Sequence, residues 1–271
     1  MINKKITLVF ILFLTIFYSK PVEAAGNDIV SELMEKSGLD VAIKQMPDHL
    51  SEGFSSGLSE IGAINKDELV KINELMRKSF DNDVFRKTMK GYITKHLKKD
   101  HILKTIKWLD SPLGKRITEL ENKSQTAEAE KQLMENMEYI LSKTDKLERA
   151  KRFDKAIKMT DKITDMMQNI QKTMMVAMMP FAPEGQKMTT AQIGRMVERE
   201  REKSYEAMEM MVQASIVNTY QTLSDKEFNQ YIEFNESVSG LKYNEVTLKA
   251  FGFAFEKSLK KFAGLLGSKN I

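Results

Sequence analysis

Between Ile102 and Glu121 the chain reads I-L-K-T-I-K-W-L-D-S-P-L-G-K-R-I-T-E-L-E, a stretch in which one helix must end and another begin at once. Ile102, Ile106 and Leu109, with Leu103 and Trp108 beside them, recur at the spacing of one helix face, and the pattern stops at Asp110. Ser111 can cap the next helix, because its hydroxyl accepts a free N–H of the new first turn. Pro112 suits the first helical position, where no donor is needed. Gly114 costs about 1 kcal/mol relative to alanine inside a helix, so its presence predicts close approach by a neighbouring helix.

A second copy of the stretch runs from Phe228 to Thr247, without a gap, at the constant offset of 126 that separates Ser111 from Ser237. Phe234 stands for Trp108, Glu236 for Asp110 and Gly240 for Gly114, while Val238 replaces Pro112. Leu97 and Leu223, Ile106 and Ile232, and Glu119 and Glu245 are identical at that offset. Ile102 and Phe228, and Leu120 and Val246, stay apolar. Helical periodicity aligns apolar faces, but it does not produce a shared aromatic followed by Ser-x-x-Gly. The expectation is a tandem duplication. Residues 26–145 form the first helical repeat and 146–271 a second, diverged one, with Trp108 and Phe234 at equivalent buried positions.

The motif Trp108-Leu109-Asp110-Ser111-Pro112-Leu113-Gly114 resembles the signature of the bacterial exported family called domain of unknown function 2059. The resemblance implies an all-helical protein of the periplasm. The first copy departs from the family's usual aromatic pair at Leu109, and the second lacks the proline. The motif is short and structural, and it transfers no catalytic residue.

The amino terminus reads as a cleavable export signal over residues 1–25. Lys4 and Lys5 precede the apolar run from Ile6 to Tyr18, and Val22-Glu23-Ala24 offers small residues before Ala25. The run is shorter than the roughly 20 residues that span a bilayer. With no cysteine, the chain can hold neither a lipid-anchored cysteine nor a disulfide. Removing Lys4, Lys5, Lys20 and Glu23 takes the formal charge from +4 to +2, too balanced to suggest a nucleic-acid partner.

The remaining length is enough to bury a core. With 5 prolines and no sustained β-branched alternation, the class is all-α, a multi-helix bundle. Between Asp28 and Ile61 the pattern predicts two short helices, broken near Gly38 and near Pro47, with Ile29, Val30, Leu33, Met34, Ile43, Met46, Leu50 and Phe54 inward. Asn65-x-x-Glu68 and Ser224-x-x-Glu227 read as capping boxes, and Asp81 or Asn82 as a helix start. The helix after the motif is expected to run on through Leu133 to Leu141, and a single helix to run from Leu147 to Met178. Thr144-Asp145 marks the boundary of the halves. Pro180, Pro183 and Gly185 make residues 180–188 a linker. Thr189 or Thr190 restarts a helix reaching Leu223.

No residue is assigned a catalytic, cofactor-binding or metal-binding role. His49, His96 and His101 lack the i, i+4 spacing of paired ligands. Gly-x-Ser-x-Gly is absent. Asp161, Asp165, Glu198, Glu200 and Glu202 are plentiful, but the glutamates alternate with Arg199 and Arg201 as a solvated face does. Of the 19 methionines, 12 fall between Met159 and Met211. Thioethers can bind Cu(I). Paired methionines at helical spacing also fill an irregular core or line a groove, the reading favoured here. Leu248, Phe251, Phe255, Leu259, Phe262 and Leu266 form a stripe opposite Lys257, Lys260 and Lys261, which suits a packed helix or contact with a membrane surface, and its width favours packing.

Three function classes are compatible with these residues. The first is a non-catalytic envelope protein that binds an apolar ligand or a protein partner. The alternatives are a periplasmic copper-handling protein and an enzyme with no recognisable motif. Export makes the first test simple: intact-mass measurement of protein from its native host should show loss of about the first two dozen residues. A full-length species that only detergent extracts would contradict it.

Overall fold

Apolar spacing of three and four residues leads to helices only. The computed structural model describes residues 28–61, 66–124, 126–179, 185 and 187–268, and among these no strand occurs. The expected export signal, Asn65 and most of the expected 180–188 linker lie outside the described residues. The first half contains α1 (Ile29–Lys36), α2 (Leu39–Ile61), α3 (Lys66–Ser79), α4 (Asn82–His96), α5 (Lys99–Leu109), α6 (Pro112–Ser124), α7 (Ala127–Glu135) and α8 (Met137–Leu141). The second contains α9 (Thr144–Ile157), α10 (Met159–Met178), α11 (Thr190–Arg199), α12 (Arg201–Thr219), α13 (Asp225–Glu236) and α14 (Val238–Ser268).

Local chemistry sets the boundaries. Asp81 accepts the Val84 N–H at 2.9 Å and starts α4. Thr189 with Gln192, and Ser224 with Glu227, form reciprocal capping boxes at α11 and α13. Gly38, at φ 67, separates α1 from α2 in the left-handed region that glycine enters without strain. The expected break at Pro47 does not occur, and the proline lies inside α2. An interior proline costs about 3 kcal/mol. Burial of Ile43 and Met46 on the flanking turns, with α2 packed on α1, α3 and α4, opposes that cost.

Three expected long helices are instead divided. The Leu147–Met178 run breaks at Lys158, which is left-handed at φ 53. Asp154 folds back to accept from the Thr160 N–H at 2.7 Å and its hydroxyl at 2.6 Å, capping α10. The Thr190–Leu223 run breaks at Glu200. The helix after the motif stops at Ser124, Thr126 caps α7 through the Ala129 N–H, and Asn136 separates α7 from α8. In each case the apolar register continues across the turn with no proline or glycine to mark it.

Both motif copies form the same junction. Helices α5 and α13 start at Lys99 and Asp225, and α6 and α14 at Pro112 and Val238, preserving the offset of 126. The Gly114 N–H donates to Ser111 Oγ at 3.0 Å, and the Gly240 N–H to Ser237 Oγ at 3.1 Å. Each glycine presses on the helix just ended and not on a separate neighbour. A Cβ on Gly114 would collide with the Trp108 carbonyl oxygen and sit 3.0 Å from the Leu109 Cα. One on Gly240 would collide with the Phe234 carbonyl oxygen and sit 2.9 Å from the Asn235 Cα.

The halves exchange their last motif helices. Helix α14 packs on α3, α4 and α5 as well as on α10 and α13, while α6 packs on α12. The aromatic stripe of α14 enters the shared core, where Phe255 meets Phe80 at 4.9 Å and Phe251 meets Phe85 at 5.3 Å between ring centroids. Lys257, Lys260 and Lys261 stay exposed on the opposite side. One continuous apolar cluster runs from Val30 to Leu266.

The glycine contacts generate a comparative test. Gly114→Ala and Gly240→Ala should each lower stability by about 1–3 kcal/mol, because backbone atoms must move. Gly91→Ala on α4, where nothing lies within 4 Å, should raise it by about 0.5–1 kcal/mol. Chemical denaturation of the three variants measures both signs.

Candidate functional site: an aromatic cavity between the two motifs

The two junctions converge on one cavity of about 110 Å³. Its lining is paired at the same offset that relates the motifs. Trp108 and Phe234, Leu109 and Asn235, Ile117 and Tyr243, Thr118 and Asn244, and Glu121 and Thr247 all face it. Helix α9 adds Phe153 and Ile157, α10 adds Met159, Lys162 and Ile163, α12 adds Tyr220, and α13 adds Tyr231. The floor residues Glu121, Phe153, Tyr220, Tyr231 and Tyr243 are buried, whereas Trp108, Phe234, Met159, Lys162 and Leu248 are half-buried around the mouth.

Trp108 and Phe234 therefore differ from the buried positions expected of them. Their rings stack on each other at 4.6 Å with 7° between planes, so each covers one face of its partner. Tyr231 continues the stack behind Trp108 at 6.4 Å and meets Phe153 at 5.1 Å. Leu109 and Asn235 are both buried despite their different polarity. The Asn235 amide donates to the Tyr231 carbonyl at 2.8 Å and its oxygen accepts from Asn244 at 2.7 Å, which removes the cost of burying a bare amide.

The floor holds a carboxyl group. Glu121 lies on the buried face of α6 with Gly114, Ile117 and Thr118, and is 1% exposed. Its Oε1 accepts from the Tyr220 hydroxyl at 2.6 Å and from the Tyr231 hydroxyl at 2.9 Å, while Oε2 is buried without a partner. Burial pushes this carboxyl up to about 8, with the two tyrosine hydroxyls pulling the other way. At neutral pH it is uncharged. With Oε1 already taken by two donors, the proton belongs on Oε2, which can donate one hydrogen bond into the cavity.

Lys162 supplies the other polar pole. Burial lowers its ammonium from the usual lysine value, an effect opposed by Glu245, which itself pairs with Lys242 and Lys249, and Lys162 forms no salt bridge among the described residues. The charges that act on it are Glu245, Lys158, Lys249 and Asp161, whereas Glu121 is acted on by burial and by its two tyrosines. The two poles therefore do not neutralise one another.

The residues weighed from the sequence lie elsewhere. The His96 ring lies tilted against that of Tyr92 with centroids 4.3 Å apart, and His101 Nδ1 is 3.0 Å from Ser239 Oγ. The His49 side chain lies outside the described residues. Asp165 pairs with Arg201 at 2.7 Å on the surface. Of the clustered methionines, Met159 alone among the described residues lines the cavity, while Met166, Met208 and Met211 are buried in the core and Met174, Met175 and Met179 are half-buried. Among the described residues no group of three or more His, Cys, Asp or Glu could hold a metal ion, and no helix is long and apolar enough to cross a membrane. Sequence reasoning passed over Glu121, Lys162, Tyr220 and Tyr231. The available signal was the spacing Gly114, Ile117, Glu121, which sets a carboxyl on the buried face of α6.

Compared with known proteins, the chain matches no family model, no curated protein and no solved structure.

Glu121 carries a pH signature. Its folded pKa lies above the unfolded carboxylate value near 4.3, so the folded state binds more protons between about pH 4.5 and 8, and stability falls as pH rises through that window. Glu121→Gln should flatten this segment of the stability–pH curve. At pH 8 it should make the protein more stable than the parent by on the order of a few kcal/mol. Parallel denaturation curves at pH 5, 6.5 and 8 test the slope.

Proposed function

We propose that this protein is an exported, non-catalytic binding protein of the cell envelope, and that the cavity between its two motifs is the ligand seat. The observation that carries the reading is the cavity's composition: a mostly apolar and aromatic wall with a few polar groups, among them the unpartnered Oε2 of Glu121 and the half-buried Lys162. The non-catalytic reading rests on the sequence, which offers no catalytic motif; the ionisable groups of the lining are Glu121, Lys162 and three tyrosines. Tandem duplication of a helical unit like that of the resembled family is part of the same proposal, supported by the matching junctions and the paired lining. A cavity between two diverged copies can vary one wall while the other preserves the packing.

Native mass spectrometry of the mature protein from its host should detect a retained small molecule at one per chain. Leu248→Trp, which adds bulk at the half-buried mouth, should remove it while leaving the helical circular dichroism unchanged. A protein that retains nothing, and whose melting temperature no small molecule raises, would leave the cavity as a packing feature only.

A further inference from the structure

The strongest unexplained feature of the cavity is that it holds two ionisable groups of opposite type. A carboxyl group sits on the floor among aromatic rings with one of its two oxygens unpartnered, and an ammonium that makes no salt bridge among the described residues sits near the mouth. A buried polar group without a partner costs free energy, which a ligand of complementary charge recovers on binding.

We infer that the cavity takes a small ammonium zwitterion, whose cationic nitrogen sits among the aromatic rings against Glu121 and whose anionic group reaches Lys162. This rests on the binding reading above and names the chemical class of its ligand. Ring faces attract cations through their quadrupole, most strongly where water is excluded, and the cavity floor holds the Tyr231 and Phe153 rings together with the carboxyl group. The tyrosine hydroxyls on Oε1 stabilise the carboxylate once a cation has drawn off its proton.

The groups facing Glu121 from neighbouring helices are few. Helices α12, α13 and α14 bring the phenols of Tyr220, Tyr231 and Tyr243, all raised by burial first of all, and α10 brings Lys162. The residues that α5 and α9 place in the cavity do not titrate, and α7 contributes none to its lining. Glu121, with its own value about 8, changes charge as a cation enters, and Lys162→Met separates this from any contribution of the Lys162 ammonium, which burial also lowers.

The test is calorimetric titration of the unmodified mature protein with three probes: tetramethylammonium, glycine betaine, and the uncharged alcohol 3,3-dimethylbutanol. Tetramethylammonium cannot titrate, so its affinity should rise about tenfold per pH unit below pH 8 and level off above it. Betaine should bind more tightly than tetramethylammonium, and Lys162→Met should erase that advantage. Glu121→Gln should weaken both cations and remove the pH slope.

An affinity that falls as pH rises, an alcohol that binds as well as the cation, or a betaine advantage that survives in Lys162→Met overturns the assignment. Retention of a neutral apolar molecule in native mass spectra, with no response to any probe, overturns this ligand class and leaves the binding reading standing. Loss of both sinks the two together.

Discussion

The contact of a glycine Cα with the carbonyl oxygen of the aromatic residue six positions earlier sets the geometry of this protein twice. At Gly114 and at Gly240 there is no room for a Cβ, so each new helix leaves the old one with its backbone pressed against the preceding turn. The serine three residues before each glycine caps the new helix within the same few atoms. The two junctions share these contacts, and Trp108 and Phe234, the aromatic residues that precede them, stack on one another. The cavity opens beneath that stack.

Differences between the two motif stretches give the cavity its chemistry. Equivalent positions carry Leu109 and Asn235, Ile117 and Tyr243, and Glu121 and Thr247. An apolar wall from the first copy thus faces a more polar wall from the second, and the carboxyl group stands on the apolar side. In that setting the charged form of Glu121 is disfavoured by desolvation more than the two tyrosine hydroxyls favour it. The site stores an acid that is neutral by environment and not by chemistry.

Exchange of the last motif helices makes the halves interdependent. Helix α14 completes the core around α3, α4 and α5, and its first turns also wall the cavity through Tyr243, Asn244, Thr247 and Leu248. Stability and site therefore share one helix. Phe251 shows the overlap directly, since it lines the cavity and also meets Phe85 of the first half.

The sequence by itself determined the all-α class, helix starts at Asp81 or Asn82, at Thr189 or Thr190 and at Ser224, and the serine-capped junctions, because capping acts among residues a few positions apart; it set the glycines against a neighbouring helix, where the structure sets them against the helix just ended. The buried faces Ile72, Leu75 and Met76, and Phe251, Phe255 and Phe262, were likewise legible in the three- and four-residue spacing. Turns at Lys158, Glu200 and Asn136 were not, since no breaker residue marks them and the apolar register runs through. Nor was the passage of α2 through Pro47, which depends on burial of the turns around it. The cavity was decided by tertiary structure alone. Glu121 lies 99 residues from Tyr220 and 110 from Tyr231, and a carboxyl group that is solvated in the unfolded chain becomes a buried acid only when packing brings those helices together and excludes water.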